Sequence, residues 1–343
     1  MRSLPTDLEP ERLRAALASG WDLGSGSLEY LPEGGGAYHW QLTGRQGQRH
    51  FVTVDDLDSK DWIGTTRSEV FAGLGRALGT ATTLANEAEL EFVVAPIAAE
   101  DGEPLRRIDD RYAVSVFPFL PGRSFPFGPY ADERLRLEAL DLVAALHQAT
   151  AVVRDRAPAH VPGFAGRADL AAFLGEPDQP WVAGPFGEDA RAALLAGSDH
   201  PAGLAWLIAA FDQLVDRTGV HQASPVITHG EPHPANLRSS GGRLYLIDWD
   251  TVGLGPPERD LSLIVAEGED LERYRRATGR DADPVVITLY RLRWYLDDLA
   301  SAVKMFRNEH RDTAETRRWR DALPSQLDRL PGWIELAGEA GAR

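Results

Sequence analysis

The 343-residue chain contains no cysteine, which excludes a disulfide, a thiolate nucleophile and any cysteine-bound metal. Lysine is almost absent as well: of 36 basic residues only Lys60 and Lys304 are lysines. Against 52 acidic residues this leaves a formal net charge of −16, a field that repels nucleic-acid phosphates and anionic lipid and attracts cations. Long apolar runs are also missing. The longest, Leu204 to Phe211, falls far short of the roughly 20 residues needed to span a bilayer. The first twenty residues carry acids and arginines at the spacing of a short amphipathic helix, with no apolar core of signal-peptide type. These absences point to a cytoplasmic protein with no nucleic-acid and no membrane partner.

With 43% apolar residues the chain can build real cores, and its length favours two lobes over one. Residues 1–119 read as strands and turns. Leu28–Leu31, Ala37–Leu42 and His50–Val54 are short runs rich in aromatic and β-branched residues, separated by glycine turns at 34–36 and 44–47. Ser68–Ala85 has the helical period, and Phe92–Ile97 and Tyr112–Phe119 are further strand candidates. Pro118 to Gly122 then breaks the pattern as a linker does. Residues 120–343 are mainly helical, with amphipathic periods over Asp132–Thr150, Leu204–Thr218, Ile287–Phe306 and Arg317–Leu327, while 158–185 is loose and rich in Gly and Pro. The expected fold is α+β, a small β-rich lobe over 1–119 followed by a larger helical lobe over 120–343.

The segment His229-Gly230-Glu231-Pro232-His233-Pro234-Ala235-Asn236 sits between two apolar runs and carries the strongest chemical signal. Two histidines four apart would share a zinc ion if they lay on one helix face, but Gly230, Pro232 and Pro234 argue against a helix. A rigid loop suits the residues better. Val226-Ile227-Thr228 feeds it, and a turn at 239–242 returns the chain through a strand ending at Ile247-Asp248. Glu231, Asn236 and Asp248 thereby meet at the tips of neighbouring segments. Two carboxylates and an amide are the hard oxygen ligands and the proton acceptor that Mg²⁺ and a hydroxyl nucleophile require.

The pattern His229-Gly230-Glu231, Asn236, a hydrophobic strand, Asp248-x-Asp250 and then Gly255-Pro256-Pro257-x-x-Asp260-Leu261 resembles the aminoglycoside phosphotransferase and choline kinase family, including its spectinomycin-type antibiotic phosphotransferases. The acid-to-Asn step of five residues is also that of the protein-kinase catalytic loop. The resemblance implies a bilobal protein-kinase-like fold and an O-phosphotransferase that moves the γ-phosphate of ATP or GTP to a hydroxyl. By that resemblance Glu231 is the catalytic base, Asn236 and Asp248 hold Mg²⁺ on the nucleotide phosphates, and His229 holds the loop. Backbone near Phe119 and Leu120 would face the nucleobase, and Gly35 and Gly36 would let N–H groups approach the phosphates. Asp260 fastens the loop. The substrate would lie along the helix bearing Trp294 and Asp298, and the acidic surface favours a small, cationic, hydroxylated compound, first an aminoglycoside or aminocyclitol antibiotic. A choline- or homoserine-like metabolite is an alternative, and so is a degenerate kinase-fold protein that binds without turnover.

Two residues depart from the family pattern. Glu231 stands where aspartate is usual, placing the carboxylate about 1.5 Å further out. Thr53 occupies the place on the third strand where a kinase sets the lysine that meets the α/β-phosphates, paired with a helix glutamate. Glu69 and Glu87 are the helix candidates for that pairing. Lys60, the one lysine of this lobe, reads first as a solvated surface residue, with a reach back to the phosphates or a substitute such as Arg67 as the other readings.

Overall fold

The structure, a computed structural model, describes residues 4–5, 7–197, 199–220 and 224–342. Its contacts define two compact units, Met1–His160 with Ser224–Asp281, and Val161–Ala223 with Ala282–Arg343. The segment that follows residue 223 therefore belongs with the β-rich part of the chain.

The first unit opens with helix α1 (Pro10–Trp21), started by a proline in its first turn, where no N–H is needed, and ended by Asp22 in the left-handed conformation. Met1, Arg2, Ser3 and Thr6 of the expected N-terminal helix lie outside the described residues. Strands β1 (Ser27–Leu31), β2 (Tyr38–Thr43), β3 (Arg49–Asp56), β4 (Arg106–Arg107) and β5 (Tyr112–Pro118) form one antiparallel sheet in the order β1-β2-β3-β5-β4. Side chains alternate across its faces. Val52 and Val54 join Trp40, Leu42, Val114 and Val116 in the core beside α1. Phe51, Thr53 and Asp55 consequently point to the opposite face. Helix α2 (Arg67–Asn86) begins with a capping box between Thr66 and Glu69 and packs Val70, Leu74 and Leu78 against Leu57, Leu105 and Ala113.

Residues 92–97, expected as a strand, make only an isolated parallel bridge, Val93 with Leu246. Pro96 removes a ladder donor, so this apolar run is buried as a loop, with Val93 in the core that lines up Leu237, Leu246 and Trp249. After β6 (Arg123–Ser124) comes helix α3 (Glu133–Gln148), capped by Asp132. It stops two residues before the expected end, and α4 (Thr150–Val153) follows. The Thr150 hydroxyl donates to the His147 carbonyl (2.6 Å) and accepts from Ile227 N–H (2.9 Å), fixing this junction to the next strand.

That strand, β7 (Val226–Thr228), pairs antiparallel with β10 (Gly253–Gly255), while β8 (Leu237–Ser240) and β9 (Arg243–Leu246) form a hairpin that β6 extends. Gly241 and Gly242 both have positive φ (56° and 78°), as a two-residue hairpin turn requires. Helices α8 (Glu258–Ile264) and α9 (Gly268–Thr278) complete the unit.

Among the described residues the second unit has no strand, and its helices are α5 (Arg167–Gly175), α6 (Gly187–Ala196), α7 (His200–Thr218), α10 (Pro284–Arg307), α11 (Ala314–Leu327) and α12 (Leu330–Glu339). Helix α5 lies inside the stretch read as loose. Its weak periodicity hides two fully buried residues, Leu170 and Phe173, which join Phe211, Leu296 and Phe306 in the core. Among the described residues no helix is long and apolar enough to cross a membrane.

Candidate active site

The loop from His229 to Asn236 leaves β7 and is held in place from beneath. Asp260 of α8, fully buried, accepts from the backbone N–H of His229 (2.8 Å, Oδ2) and of Gly230 (2.7 Å, Oδ1). Its Oδ2 also meets His147 Nε2 at 3.2 Å, and the other ring nitrogen of His147 pairs with the Tyr274 hydroxyl at 2.8 Å. Burial opposes ionisation of Asp260, but the His147 hydrogen bond and the nearby Arg259 and His229 outweigh it and hold the carboxyl below its usual range. Arg259 adds a second clamp, donating to Thr228 Oγ1 (2.7 Å) and to the Thr251 carbonyl (2.8 Å). Gly230 must be glycine: its φ is 99°, and a Cβ there would lie 2.3 Å from Arg259 Nη2.

His229 is fully buried, edge-on to Trp249 at 4.6 Å. Its Nε2 donates to the Ile247 carbonyl (2.9 Å) and its Nδ1 accepts from Glu231 N–H (3.3 Å), which selects one tautomer. Burial lowers its pKa and keeps the ring neutral, against the pull of Asp260. The imidazole therefore ties the Glu231 loop to the end of β9 and is not exposed to reactants. Asn236 closes the loop, its Nδ2 donating to the Glu231 carbonyl (3.0 Å) and its own carbonyl accepting from Ile247 N–H (3.0 Å). This directs Oδ1 away from the loop backbone. Tyr130 adds an outer strut, its hydroxyl donating to the Pro232 carbonyl at 2.6 Å.

Asp248 follows Ile247 with φ 67°, a left-handed conformation that costs a non-glycine residue about 1 kcal/mol or more. Crowding by protein atoms raises its pKa, Asp250, Glu231 and Asp55 raise it further, and Lys60 opposes them. The residue itself is exposed to solvent. Excess negative charge of this kind is relieved by a divalent cation, and Asn236 Oδ1 with Asp248 are hard donors of the right type. Among the described residues no group of three or more His, Asp or Glu is arranged to hold a metal unaided. A cation here would draw its remaining ligands from phosphate and water, as Mg²⁺ does.

Lys60 is not a solvated surface lysine. It is 1% exposed, with Nζ 2.6 Å from Asp250 Oδ2 and 3.1 Å from Asp55 Oδ1. Burial disfavours the charge, but Asp250, Asp55 and Asp248 outweigh it, so the ammonium stays protonated. The other candidates are engaged elsewhere. Arg67 pairs with Asp58 (2.7 Å) and Asp110, Glu69 accepts from the Thr65 and Thr66 backbone at its own helix start, and Glu87 pairs with Arg156 (2.9 Å).

Residues 80–295 match the model of the phosphotransferase enzyme family. The chain belongs to the phosphotransferase enzyme family. Within that family, the match begins inside α2, so the glycine turn at 34–36 and Lys60 lie outside it. The protein StrN of Streptomyces griseus is 27% identical over 255 residues, 72% of this chain and 73% of that protein. A spectinomycin phosphotransferase solved with ADP and spectinomycin superposes with a TM-score of 0.68 at 13% identity, covering 98% of this chain and 100% of that one. A microcompartment-associated aminopropanol kinase does so at 0.57, with 15% identity over 96% and 98% of the two chains. These likenesses establish the α+β kinase-like fold.

The remaining residues singled out from the sequence are distributed as follows. Gly35 and Gly36 lie in the exposed turn between β1 and β2, and a Cβ on Gly36 would come within 3.8 Å of Lys60 Nζ. Thr53 Oγ1 meets His39 Nδ1 at 3.3 Å in the middle of the sheet. The Phe119 ring carries the Arg49 guanidinium at 4.1 Å, and the Leu120 carbonyl accepts from Arg238 Nε at 2.6 Å. Trp294 and Asp298 are half-buried on α10 of the second unit. Burial pushes the Asp298 carboxyl up to about 6, Asp297 adds to it and Arg329 opposes. Sequence reasoning missed the Asp55–Lys60–Asp250 cluster, whose signal was a solitary lysine in a lobe whose other cations are arginine or histidine.

Proposed function

We propose that the protein is a Mg²⁺-dependent O-phosphotransferase that moves the γ-phosphate of ATP or GTP to a hydroxyl of a small cationic substrate. An aminoglycoside or aminocyclitol antibiotic is the first choice of acceptor, with resistance as the outcome, and the cytoplasm is the expected place. The observation that carries this reading is the clamp on the Glu231 loop: a buried carboxylate holds the amides of His229 and Gly230, a buried imidazole holds that of Glu231, and Asn236 holds the Glu231 carbonyl and is joined through Ile247 to Asp248. Preorganisation of this kind is what phosphoryl transfer needs, because positioning and electrostatics supply most of the catalysis.

In the proposed reaction the acceptor oxygen forms a bond to the γ-phosphorus as the bond to the bridging oxygen breaks, and the nucleoside diphosphate leaves. Glu231, whose side chain is 36% exposed, accepts the proton of the hydroxyl. His229 fixes the Glu231 amide and so the direction of the side chain. Asn236 and Asp248 would hold Mg²⁺, which when bound offsets the charge of the phosphates. His233, beside Glu231, has its pKa lowered to about 4, chiefly by burial, and is a neutral neighbour at physiological pH. Asp298 and Trp294 are proposed to recognise the acceptor, an acid and an aromatic face suited to a cationic ring.

The test is calorimetric titration with ATP and GTP analogues, with and without Mg²⁺, beside an Asp248→Ala variant, followed by phosphate-transfer assays on hydroxylated amines. Mg²⁺-dependent binding that the variant loses is the expected result. A folded protein that binds neither nucleotide up to millimolar concentration refutes the reading in favour of a ligand-binding protein without turnover.

A further inference from the structure

Lys60 is a buried charge with no role in the scheme above. A lysine at 1% exposure beside two carboxylates is an expensive arrangement, since taking ions out of water costs several kcal/mol each and the pairing often only breaks even. One ammonium here also serves two carboxylates, at 2.6 and 3.1 Å. The group is oddly placed for a purely structural ion pair. Asp250 lies two residues past Asp248, in the loop that ends β9, whereas Asp55 is on the sheet face opposite the α1 core. The cluster thus bridges the sheet and the Asp248 loop at their functional ends. Two neighbours of Nζ face solvent: the glycine turn at 34–36, whose Gly36 presents no side chain toward Nζ, and the ring of Trp62, 5.2 Å from Nζ and itself 46% exposed.

We propose that Lys60 is the cation that meets the phosphates of the nucleotide, delivered by the turn after β3 and not by the strand itself, and that Asp55 is the positioning residue that holds it there. The inference rests on the nucleotide-dependent reading of the site. Asp55 and Asp250 differ in what they can give up. Asp55 is on β3, paired with Ala113 of β5, and is 3% exposed, so its contact persists. Asp250 is in a loop and its side chain is 17% exposed, so it is the partner that a phosphate oxygen replaces. A charged acceptor exchanged for a charged acceptor leaves the ammonium satisfied in both states. The glutamates of α2 take no part, because Glu69 caps its own helix and Glu87 pairs with Arg156.

The scarcity of lysine makes a direct test possible on the unaltered chain. Protein grown with ¹³C,¹⁵N-lysine carries side-chain signals only from Lys60 and Lys304, and a Lys304→Arg variant assigns them. Calorimetry with ADP, GDP and the matching nucleosides, in the presence of Mg²⁺, first establishes which ligands bind. The expected result is a shift of the Lys60 side-chain signal on saturation with the nucleoside diphosphate and none with the nucleoside. Lys60→Met should weaken the diphosphate by about tenfold to a hundredfold, the range for a lost hydrogen bond to a charged group, and leave the nucleoside within about twofold. Asp55→Asn should weaken the same ligand selectively, whereas a merely structural role would lower the thermal midpoint and affect both ligands alike. A bound diphosphate that leaves the Lys60 signal unmoved overturns the proposal while leaving the phosphotransferase reading intact. No binding of either diphosphate overturns both.

Discussion

Replacing Asp260 by asparagine changes one oxygen to an NH₂ group and removes one charge, yet it should cost the protein about 3 kcal/mol. The wild-type carboxylate takes three hydrogen bonds in a site with no solvent: Gly230 N–H on Oδ1, and His229 N–H and His147 Nε2 on Oδ2. Asparagine keeps only one acceptor oxygen. The cheaper of its two orientations leaves the amide NH₂ facing Gly230 N–H, donor against donor, and weakens the other two bonds by removing the charge. One buried donor left unsatisfied costs about 1–3 kcal/mol, and the two weakened charge-assisted bonds bring the sum to about 3 kcal/mol. Asp260→Ala, which orphans all three and leaves a cavity, should cost more. Urea unfolding measures the loss, and hydrogen exchange of a peptide covering 228–231 locates it. The acid limb supplies an independent signature. Because the native carboxyl titrates below its unfolded value, its contribution is complete above about pH 4 and is lost as pH falls through the lower, native pKa. The asparagine variant should lack that part of the acid dependence. An Asn variant within about 0.5 kcal/mol of wild type, with unchanged exchange at 229 and 230, would falsify the view that Asp260 holds the loop.

Glu231→Gln should reduce turnover by about a hundredfold or more and leave nucleotide affinity nearly unchanged, as judged by kcat beside calorimetry. Gly230→Ala forces a Cβ onto Arg259 at a φ of 99°, and a loss on the order of 2 kcal/mol in chemical denaturation is expected, with kcat falling as the loop shifts. For Asp298, raised to about 6, the native state binds more protons than the unfolded one between about pH 4 and 6. Its stabilising contribution is complete below about pH 4 and is lost as pH rises to about 6. Asp298→Asn should therefore match wild type in acid and exceed it by about 2 kcal/mol at pH 8, and a cationic acceptor should bind wild type more tightly as pH rises through 6. A stability difference that does not vary with pH would remove the titration of Asp298 from the account.

The sequence by itself determined the elements whose signal is local. The alternation in β2 and β3 and the helical period of α2, α3, α7 and α10 are short-range patterns, and so is the spacing of His229, Glu231 and Asn236 within one loop. Where the local signal was mixed, tertiary contacts decided. Residues 92–97 have a strand's composition but are buried as a loop with a proline in it, and α5 has little amphipathicity because its two buried residues suffice to anchor it. The chemistry divides the same way. Which residues bear carboxylates and amides is written in the chain, but the fate of Lys60 is not. It lies 190 residues from Asp250, and a lone lysine in a polar turn reads locally as solvated. Only the folding of the Asp248 loop against the sheet brings a second carboxylate to it, because burial of a charge is a property of the neighbours it acquires and not of the segment that carries it.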